Sequence, residues 1–281
     1  MKLSLKDSFI KICTDGYTQG WNERNGGNLS YRLKKEELDE FKDKLNENSE
    51  WLQIGTSVPD LANEYFMVTG TGKYMRNVQL DFEDNVGIIK VNEDGTKYKI
   101  VYGLDNNGRP TSELPSHLMN LEVLKNRNED LRVVYHAHPA NTIALTFVLP
   151  LKEEVFTREI WEMITECPIV FPKGIGVIDW MVPGGKEIAI ETSKLMKEKD
   201  VVVWAHHGMF VTGRDFDEAF GLMHTVEKAA EILVKVLSIS DSKLNTISPS
   251  GFKDLQEPYG VKLDEKYLYE KPSNKIGDYN K

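Results

Sequence analysis

The 281-residue sequence contains little cysteine and no long apolar run. Its two cysteines, Cys13 and Cys167, form no Cys-x-x-Cys pair and suggest no disulfide framework, so we expect a reducing compartment. No stretch approaches the roughly 20 apolar residues that span a bilayer. Near the start of the chain, Lys6 and Lys11 interrupt the apolar residues, which argues against a signal-peptide core. We therefore expect a cytoplasmic protein with no membrane partner.

The sequence also lacks an excess of positive charge. Its 35 lysines and arginines are outnumbered by 44 aspartates and glutamates, which gives a formal net charge of -9. That balance argues against a nucleic-acid partner, which requires a clustered basic surface. An anionic small molecule is still compatible with it, because a few local donors can create a positive pocket on an acidic protein.

The composition is that of a globular protein, 40% hydrophobic and 28% charged, and the length suffices for a large core without disulfides. Apolar runs bounded by turn residues predict strands, and apolar residues at helical spacing predict helices. The expected strands cover residues 29–33, 65–70, 85–91, 98–104, 131–138, 169–172, 176–181 and 201–207. The expected helices cover residues 5–20, a segment with Pro115 in its first turn, residues 187–199, and a long segment from near Asp215 to about Ser238.

The order of these segments mixes strands and helices, with several strands in sequence before a helix. It favours an α/β fold, a single domain with a central mixed, largely antiparallel sheet flanked by helices. No linker interrupts the chain, so we expect one domain over residues 1–281. Within it, the polar residues 241–281 are expected to form a C-terminal extension with a short helix and a frayed end.

Four of the six histidines lie at the ends of two apolar strands. His136 and His138 are spaced i and i+2, which places both side chains on one face of a strand, where two imidazoles can bind one ion. The second strand ends in His206 and His207, of which only one can point into the same site. Three imidazoles with an open fourth position are typical of a catalytic zinc site. The alternative for each histidine is a packing or surface role.

Two carboxylates stand where they could move a proton. Glu113 precedes the helix that begins near Pro115, and its alternative role is a helix-start carboxylate that interacts with the helix dipole. Glu166 precedes an apolar run, and its alternative is a solvated strand edge. Chemistry at a carbon next to a metal-polarised carbonyl requires a base, and a carboxylate is suitable for that role.

Two glycine-rich turns, at residues 24–28 and 69–73, can direct successive backbone N–H groups toward an anion. Neither matches a Walker or dinucleotide-binding pattern, because Lys73 is followed by tyrosine and residue 75 is methionine. Taken alone, each is an ordinary turn. Together with Ser112 they could form an anion pocket.

Taken together, these residues resemble the class II aldolase/adducin family. The resemblance rests on WNERNGGNLSYRL, FMVTGTGKYMRNVQL, PTSELPSH, VVYHAHPANTIALT, VFTREIWEMITECPIVFPKGIG and WAHHGMF, which follow the family's order from residue 21 to about residue 240. The extended runs ERNGGN, TSELP and TECPIVFP are similar to one branch of the family's sugar-phosphate aldolases.

The resemblance implies a role for each candidate residue. His136, His138 and His207 would bind one zinc ion per subunit, and Glu113 would be the catalytic carboxylate beside the metal. Glu166 would act near the aldehyde end of the substrate, reaching the site of a neighbouring subunit in a homotetramer with sites at subunit interfaces. The substrate phosphate would be held by Asn25, Gly27, Asn28, Thr71 and Ser112. The family position of Thr71 is often serine, so the hydroxyl donor is kept.

The implied reaction is the reversible, zinc-dependent aldol cleavage of a ketose 1-phosphate to dihydroxyacetone phosphate and a small aldehyde, with no organic cofactor. Sister enzymes on the same scaffold, such as L-fuculose-phosphate aldolase or a pentulose-phosphate 4-epimerase, are alternatives that would share the zinc site. A non-catalytic, adducin-like interaction module is a further alternative. The complete set of histidines and Glu113 argues against the module, because a binding module does not need an open metal site.

Overall fold

Nine β-strands carry most of the short apolar runs in residues 3–271 and 273–275, which are the residues that the computed structural model describes. The strands are β1 Asn28–Arg32, β2 Leu52–Gln53, β3 Tyr65–Thr69, β4 Val86–Val91, β5 Lys97–Gly103, β6 Val133–Ala137, β7 Ile175–Ile178, β8 Val201–Trp204 and β9 Gly208–Gly213.

Ten α-helices are present in the same residues. They are α1 Leu5–Thr18, α2 Phe82–Asn85, α3 Leu114–Arg127, α4 Ala140–Leu145, α5 Glu153–Trp161, α6 Glu166–Val170, α7 Lys186–Met196, α8 Phe216–Ile239, α9 Pro249–Asp254 and α10 Gln256–Tyr259. Short 3-10 helices cover Lys35–Glu40, Lys42–Lys44, Pro59–Leu61, Met75–Asn77 and Glu265–Tyr267. No helix in the described part of the chain is both long and apolar enough to cross a membrane.

The chain divides into two units. The first unit comprises residues 1–138, 181–197 and 212–220, and the second comprises residues 139–180, 198–211 and 221–281. Strand β9 and helix α8 each contribute residues to both units, since each crosses a boundary between them.

In the first unit, six strands run in the order β2-β5-β4-β3-β1-β6, and every neighbouring pair is antiparallel. All five residues of β1 are buried, because this strand lies between β3 and β6. The last residues of β9 join this sheet. The N–H of Arg132 donates to the carbonyl of Gly213 over 3.0 Å, and the hydroxyl of Thr212 donates to the carbonyl of Val133 over 2.8 Å.

In the second unit, β8 pairs in parallel with β7 and antiparallel with the first part of β9. Helix α5 supplies the fully buried Trp161, whose ring lies 5.8 Å from that of Phe252 and 5.1 Å from that of Tyr267. Both partners come from the C-terminal residues. This part of the predicted extension is therefore packed into the core of the second unit.

The predicted fold class is confirmed, since a mixed, largely antiparallel sheet flanked by helices is present. The predicted helix from near Asp215 is confirmed as α8, and the carboxylate of Asp215 accepts from the N–H of Glu218 over 2.8 Å, as a capping residue does. The grouping into one domain with an extension stays a prediction, and the expected frayed end lies largely outside the described residues.

The predicted strand at residues 169–172 is wrong. Residues Glu166–Val170 form helix α6, and Pro168 lies in its first turn, where the helix has no acceptor for an N–H. A short apolar run does not by itself distinguish a strand from a buried helical turn. The strand predicted at residues 201–207 is shorter than expected, because β8 ends at Trp204 and the chain turns into β9.

Buried ion pairs attach the C-terminal residues to α5. The ammonium of Lys243 contacts the carboxylates of both Glu159 and Glu162, and the ammonium of Lys271 lies 2.7 and 2.8 Å from the same two groups. The guanidinium of Arg158 adds a bond of 2.8 Å to Glu162. Burial alone would raise the pKa of Glu162, but the charges and hydrogen bonds of Lys243 and Lys271 lower it below its ordinary value.

We predict that Lys243→Met lowers the free energy of unfolding by about 3 kcal/mol, because it leaves two buried carboxylates with too little compensating charge. Lys235→Met is the matched control, since its ammonium is 69% exposed and pairs with Glu231 on the surface; it should leave the unfolding midpoint nearly unchanged. Urea denaturation of both variants measures the difference. Equal midpoints for the two variants would show that the buried pairs do not hold the C-terminal residues.

Candidate metal centre

One edge of the first unit's sheet carries the candidate residues of that unit, and the strand directions explain why. Strand β1 is antiparallel to both β3 and β6, so its first residue lies beside the last residues of its neighbours. The register pairs Asn28 with His136 and Ser30 with Val68. The turn before β1 and the turns after β3 and β6 therefore meet at this edge.

His136 and His138 lie at the end of β6 with their rings close together. His136 is 1% exposed within the strand. His138 follows one residue after the strand ends, and its N–H donates to the carbonyl of Trp21 over 2.9 Å. The two ring centroids are 5.1 Å apart, so the i, i+2 spacing brings the rings together as predicted.

Glu23 orients the ring of His138. Its two carboxylate oxygens lie 2.8 and 3.0 Å from Nδ1 of that ring. An ionised carboxylate can only accept a hydrogen bond, so Nδ1 carries the proton. In a neutral ring, this leaves the lone pair of Nε2 for a metal ion. Glu23 was not among the predicted site residues. Its place in the ERNGGN run could have indicated it. Metal-binding histidines commonly bond a carboxylate through their second nitrogen, so an acidic residue in a run near the site is a candidate.

The glycine-rich turn before β1 packs directly against this pair. Gly27 has φ of +76°, and a Cβ there would lie 2.1 Å from Nδ2 of Asn22 and 2.8 Å from the carbonyl of His136. A side chain at this position is therefore excluded both by conformation and by space. The turn keeps its shape close to the backbone of a candidate ligand.

His207 lies in the turn between β8 and β9, in the second unit. Its N–H donates to the carbonyl of Trp204 over 3.1 Å, and its ring centroid lies 5.2 Å from that of Trp204. The neighbouring His206 is exposed, and its ring makes an edge-on contact with Phe147 at 4.3 Å between centroids. The two histidines thus have different surroundings, as the sequence led us to expect.

One ligand atom from each of His136, His138 and His207 lies within 4.8 Å of the other two. His206 is not part of this group. The donor chemistry fits a divalent ion of the zinc type, since three neutral imidazole nitrogens are a usual catalytic set and leave a coordination position for substrate. These residues stay our prediction for the metal ligands.

Glu113 is 7% exposed and directs its carboxylate toward the histidines. Its Oε2 accepts from Nδ2 of Asn28 over 2.9 Å and lies 3.7 Å from Nε2 of His136. Although Glu113 occupies the N-cap position of α3, its side chain makes no capping hydrogen bond. The carboxylate thus bonds Asn28 and not the backbone of α3, and its role in the site stays a prediction. Burial raises the pKa of Glu113, while the bond from Asn28 and the charge of His138 oppose the rise.

A chain of buried hydrogen bonds leads from Glu113 back into the core. The Oδ1 of Asn28 bonds Nε2 of His117, and Nδ1 of His117 lies 2.6 Å from the hydroxyl of Ser30. An amide oxygen only accepts, so Nε2 of His117 donates and Nδ1 accepts from Ser30. This assignment directs the amide N–H of Asn28 at Glu113. Burial lowers the pKa of His117 to about 3, so the ring is neutral.

The remaining phosphate candidates lie on three turns, which precede β1, follow β3 and lead into α3. The side chains of Asn25, Thr71 and Ser112 are exposed. Backbone bonds join two of their turns, from Thr71 N–H to the carbonyl of Arg109 over 2.8 Å and from Thr111 N–H to the carbonyl of Thr69 over 2.9 Å. The side chain of Asn28 differs from the other candidates, because both its polar groups are already bonded to Glu113 and His117.

Glu166 lies in the second unit, as the first residue of α6. Its side chain is exposed and borders an open surface depression together with His224 and Lys228. Its predicted role at the site of a neighbouring subunit stays a prediction.

Comparison with known proteins identifies the family. A family model described as Class II Aldolase and Adducin N-terminal domain matches residues 7–234, and the chain belongs to this family. A rhamnulose-1-phosphate aldolase of Mannheimia succiniciproducens is 49% identical over 90% of this chain and 93% of the relative. A rhamnulose-1-phosphate aldolase of Escherichia coli O81 is 47% identical over 90% of this chain and 92% of the relative.

A sugar-phosphate aldolase from Thermotoga maritima has a similar solved structure, with a TM-score of 0.74 and 30% identity, over 86% of this chain and 98% of that chain. The predictions of the family and of an aldolase are confirmed. The family, together with the group of three histidines, supports the predicted dependence on a metal ion. Zinc as the identity of that ion stays a prediction.

We predict that His117 makes the stability of the fold depend on pH. Its folded pKa of about 3 lies below its unfolded value of about 6.5. As the pH falls below about 6.5, the unfolded chain binds a proton that the folded chain does not, so stability is lost toward pH 3. His117→Gln removes this group while keeping an amide N–H that can reach Asn28.

The difference in free energy of unfolding between wild type and His117→Gln should therefore change by up to about 1.4 kcal/mol per pH unit between pH 6 and pH 4. Denaturant titrations in chelator at several pH values measure it, and comparison with the wild type cancels every other titrating group. Parallel stability curves for the two proteins would contradict a buried neutral His117.

Proposed function

We propose that the protein is a zinc-dependent aldolase that reversibly cleaves L-rhamnulose 1-phosphate to dihydroxyacetone phosphate and L-lactaldehyde, as a step of L-rhamnose breakdown. The observation that carries the proposal is the group formed by His136, His138 and His207, with the carboxylate of Glu113 3.7 Å from the first of them. The choice of sugar rests on the two bacterial relatives of that name, which match nine tenths of the chain.

The three histidines would hold one zinc ion per subunit. A bound zinc ion would polarise the substrate ketone and stabilise the negative charge that develops when the bond between C3 and C4 breaks. The protein contributes the orientation of the ligands. Glu23 fixes the proton of His138 on Nδ1, and the backbone of Gly27 packs against His136.

Glu113 would carry the proton at the carbon where the bond breaks. In cleavage it would deliver a proton to that carbon, and in the reverse direction it would remove one from dihydroxyacetone phosphate. The bond from Asn28 orients one carboxylate oxygen. Burial of the carboxylate favours its protonated form more than water would, which assists a group that must accept a proton from carbon.

The substrate phosphate would lie where the three turns meet. We assign the contacts to the exposed side chains of Asn25, Thr71 and Ser112 and to the backbone at Gly27. Asn28 would complete the cradle through its backbone, since its side chain is bonded to Glu113 and His117. Backbone N–H groups in such turns bind anions without any net positive charge on the protein.

The assembly and the location are part of the same proposal. We propose a homotetramer with sites at subunit interfaces, in which Glu166 acts near the aldehyde end of a neighbouring subunit's substrate. The exposed position of Glu166 at the start of α6 is compatible with that role. We propose action in the cytoplasm, where phosphorylated sugars are retained. The two buried free thiols of Cys13 and Cys167 suit a reducing compartment.

A cleavage assay tests this function. The purified protein should release dihydroxyacetone phosphate from L-rhamnulose 1-phosphate faster than from L-fuculose 1-phosphate, lose the activity in chelator, and regain it with zinc. Equal or reversed preference between the two sugars would overturn the choice of substrate. If the protein binds no divalent ion and does not respond to chelator, the proposed metal-dependent aldolase activity is overturned. The adducin-like interaction module would then be the better explanation.

The variant Glu113→Gln tests the role of the carboxylate, because it keeps the size of the side chain and removes its basicity. It should bind zinc as the wild type does and lose at least about 100-fold in turnover, which is the contribution usual for a positioned general base. Turnover close to that of the wild type would remove Glu113 from the proposed mechanism.

A further inference from the structure

His206 has a backbone conformation that is unusual for its residue type. Its φ is +60°, in the left-handed region that favours glycine. It lies in the turn closed by the bond from the N–H of His207 to the carbonyl of Trp204. A non-glycine residue in this region is strained and persists only where neighbouring groups hold it in place.

Thr146, at the end of α4, provides such a group. Its Oγ1 accepts from the N–H of His206 over 3.1 Å and donates to the carbonyl of Ile143 over 2.7 Å. The residue is 4% exposed, so water does not readily replace these bonds. The ring of the next residue, Phe147, packs edge-on against the ring of His206. The hydroxyl thus ties the left-handed residue to the helix.

The other end of α4 is fixed by a buried carboxylate. One oxygen of Glu227 accepts from the backbone and side-chain amides of Asn141 over 3.0 and 2.7 Å. The other accepts from the N–H and the hydroxyl of Thr142 over 2.9 and 2.8 Å. Four bonds to one carboxylate hold this short helix at its N-terminus. They fix the position of the helix and therefore the position of Thr146 at its other end.

We propose that Thr146 is a positioning residue for the metal ligand His207. Its hydroxyl holds His206 in the left-handed conformation, and that conformation sets the direction in which the next residue's ring points. The proposal rests on the proposed function, in which His207 binds the ion. Thr146 itself has no contact with the metal in this scheme and acts only through the backbone of His206.

Zinc affinity of the metal-free, full-length protein is the readout, measured by competition with a chromophoric chelator. Thr146→Val keeps the shape and removes the hydroxyl, and it should raise the Kd for zinc by about 10-fold or more, as loss of a group that orients a metal ligand commonly does. Thr146→Ser keeps the hydroxyl and should remain close to the wild type. Thr146→Ala replaces the valine variant if the latter does not fold.

A second background separates positioning from general damage to the fold. In His206→Gly the left-handed conformation needs no support, so adding Thr146→Val should change the Kd by much less than it does beside His206. An unchanged Kd in Thr146→Val alone overturns the proposal, and so does an equal loss in both backgrounds. A wild-type protein that binds no zinc would overturn the metal site itself, which is a distinguishable result.

Discussion

The pairing of Asn28 with His136 across β1 and β6 is the constraint on which the candidate site depends. Side chains alternate between the two faces of a sheet, so a shift of one residue in this register would turn the side chain of His136 to the opposite face. This register requires glycine at position 27, since a Cβ there would collide with the carbonyl of His136. The antiparallel run of β3 beside β1 then places Thr69 at the same edge.

The site is built from polar groups that the core has to satisfy. His117, Asn28 and Glu113 are all buried, and each bond in the series fixes the donor and acceptor of the next. An unsatisfied group at such depth would cost about 1–3 kcal/mol. The network therefore orients the carboxylate and stabilises the fold with the same hydrogen bonds. This explains why Asn28, which the sequence suggested as a phosphate ligand, has its amide directed at Glu113.

The sequence predicted those parts of the site that depend on local periodicity. Strand alternation placed His136 and His138 together, and helix-start chemistry placed Pro115 in the first turn of α3. Contacts between residues far apart in the chain could not be predicted from local periodicity. Glu23 meets His138 across 115 positions, and Thr146 meets His206 across 60. No local pattern records either contact. The apolar run after Glu166 was assigned to a strand because its length fits either structure.

Location of the bound ion tests the central claim most directly. Crystals of the zinc-loaded protein, measured on both sides of the zinc absorption edge, would show the ion by its anomalous scattering. We expect one zinc ion per chain, bound to ring nitrogens of His136, His138 and His207, with Glu113 close by and outside the set of protein ligands. Anomalous density held by other side chains, or its absence at these three histidines, would contradict the account.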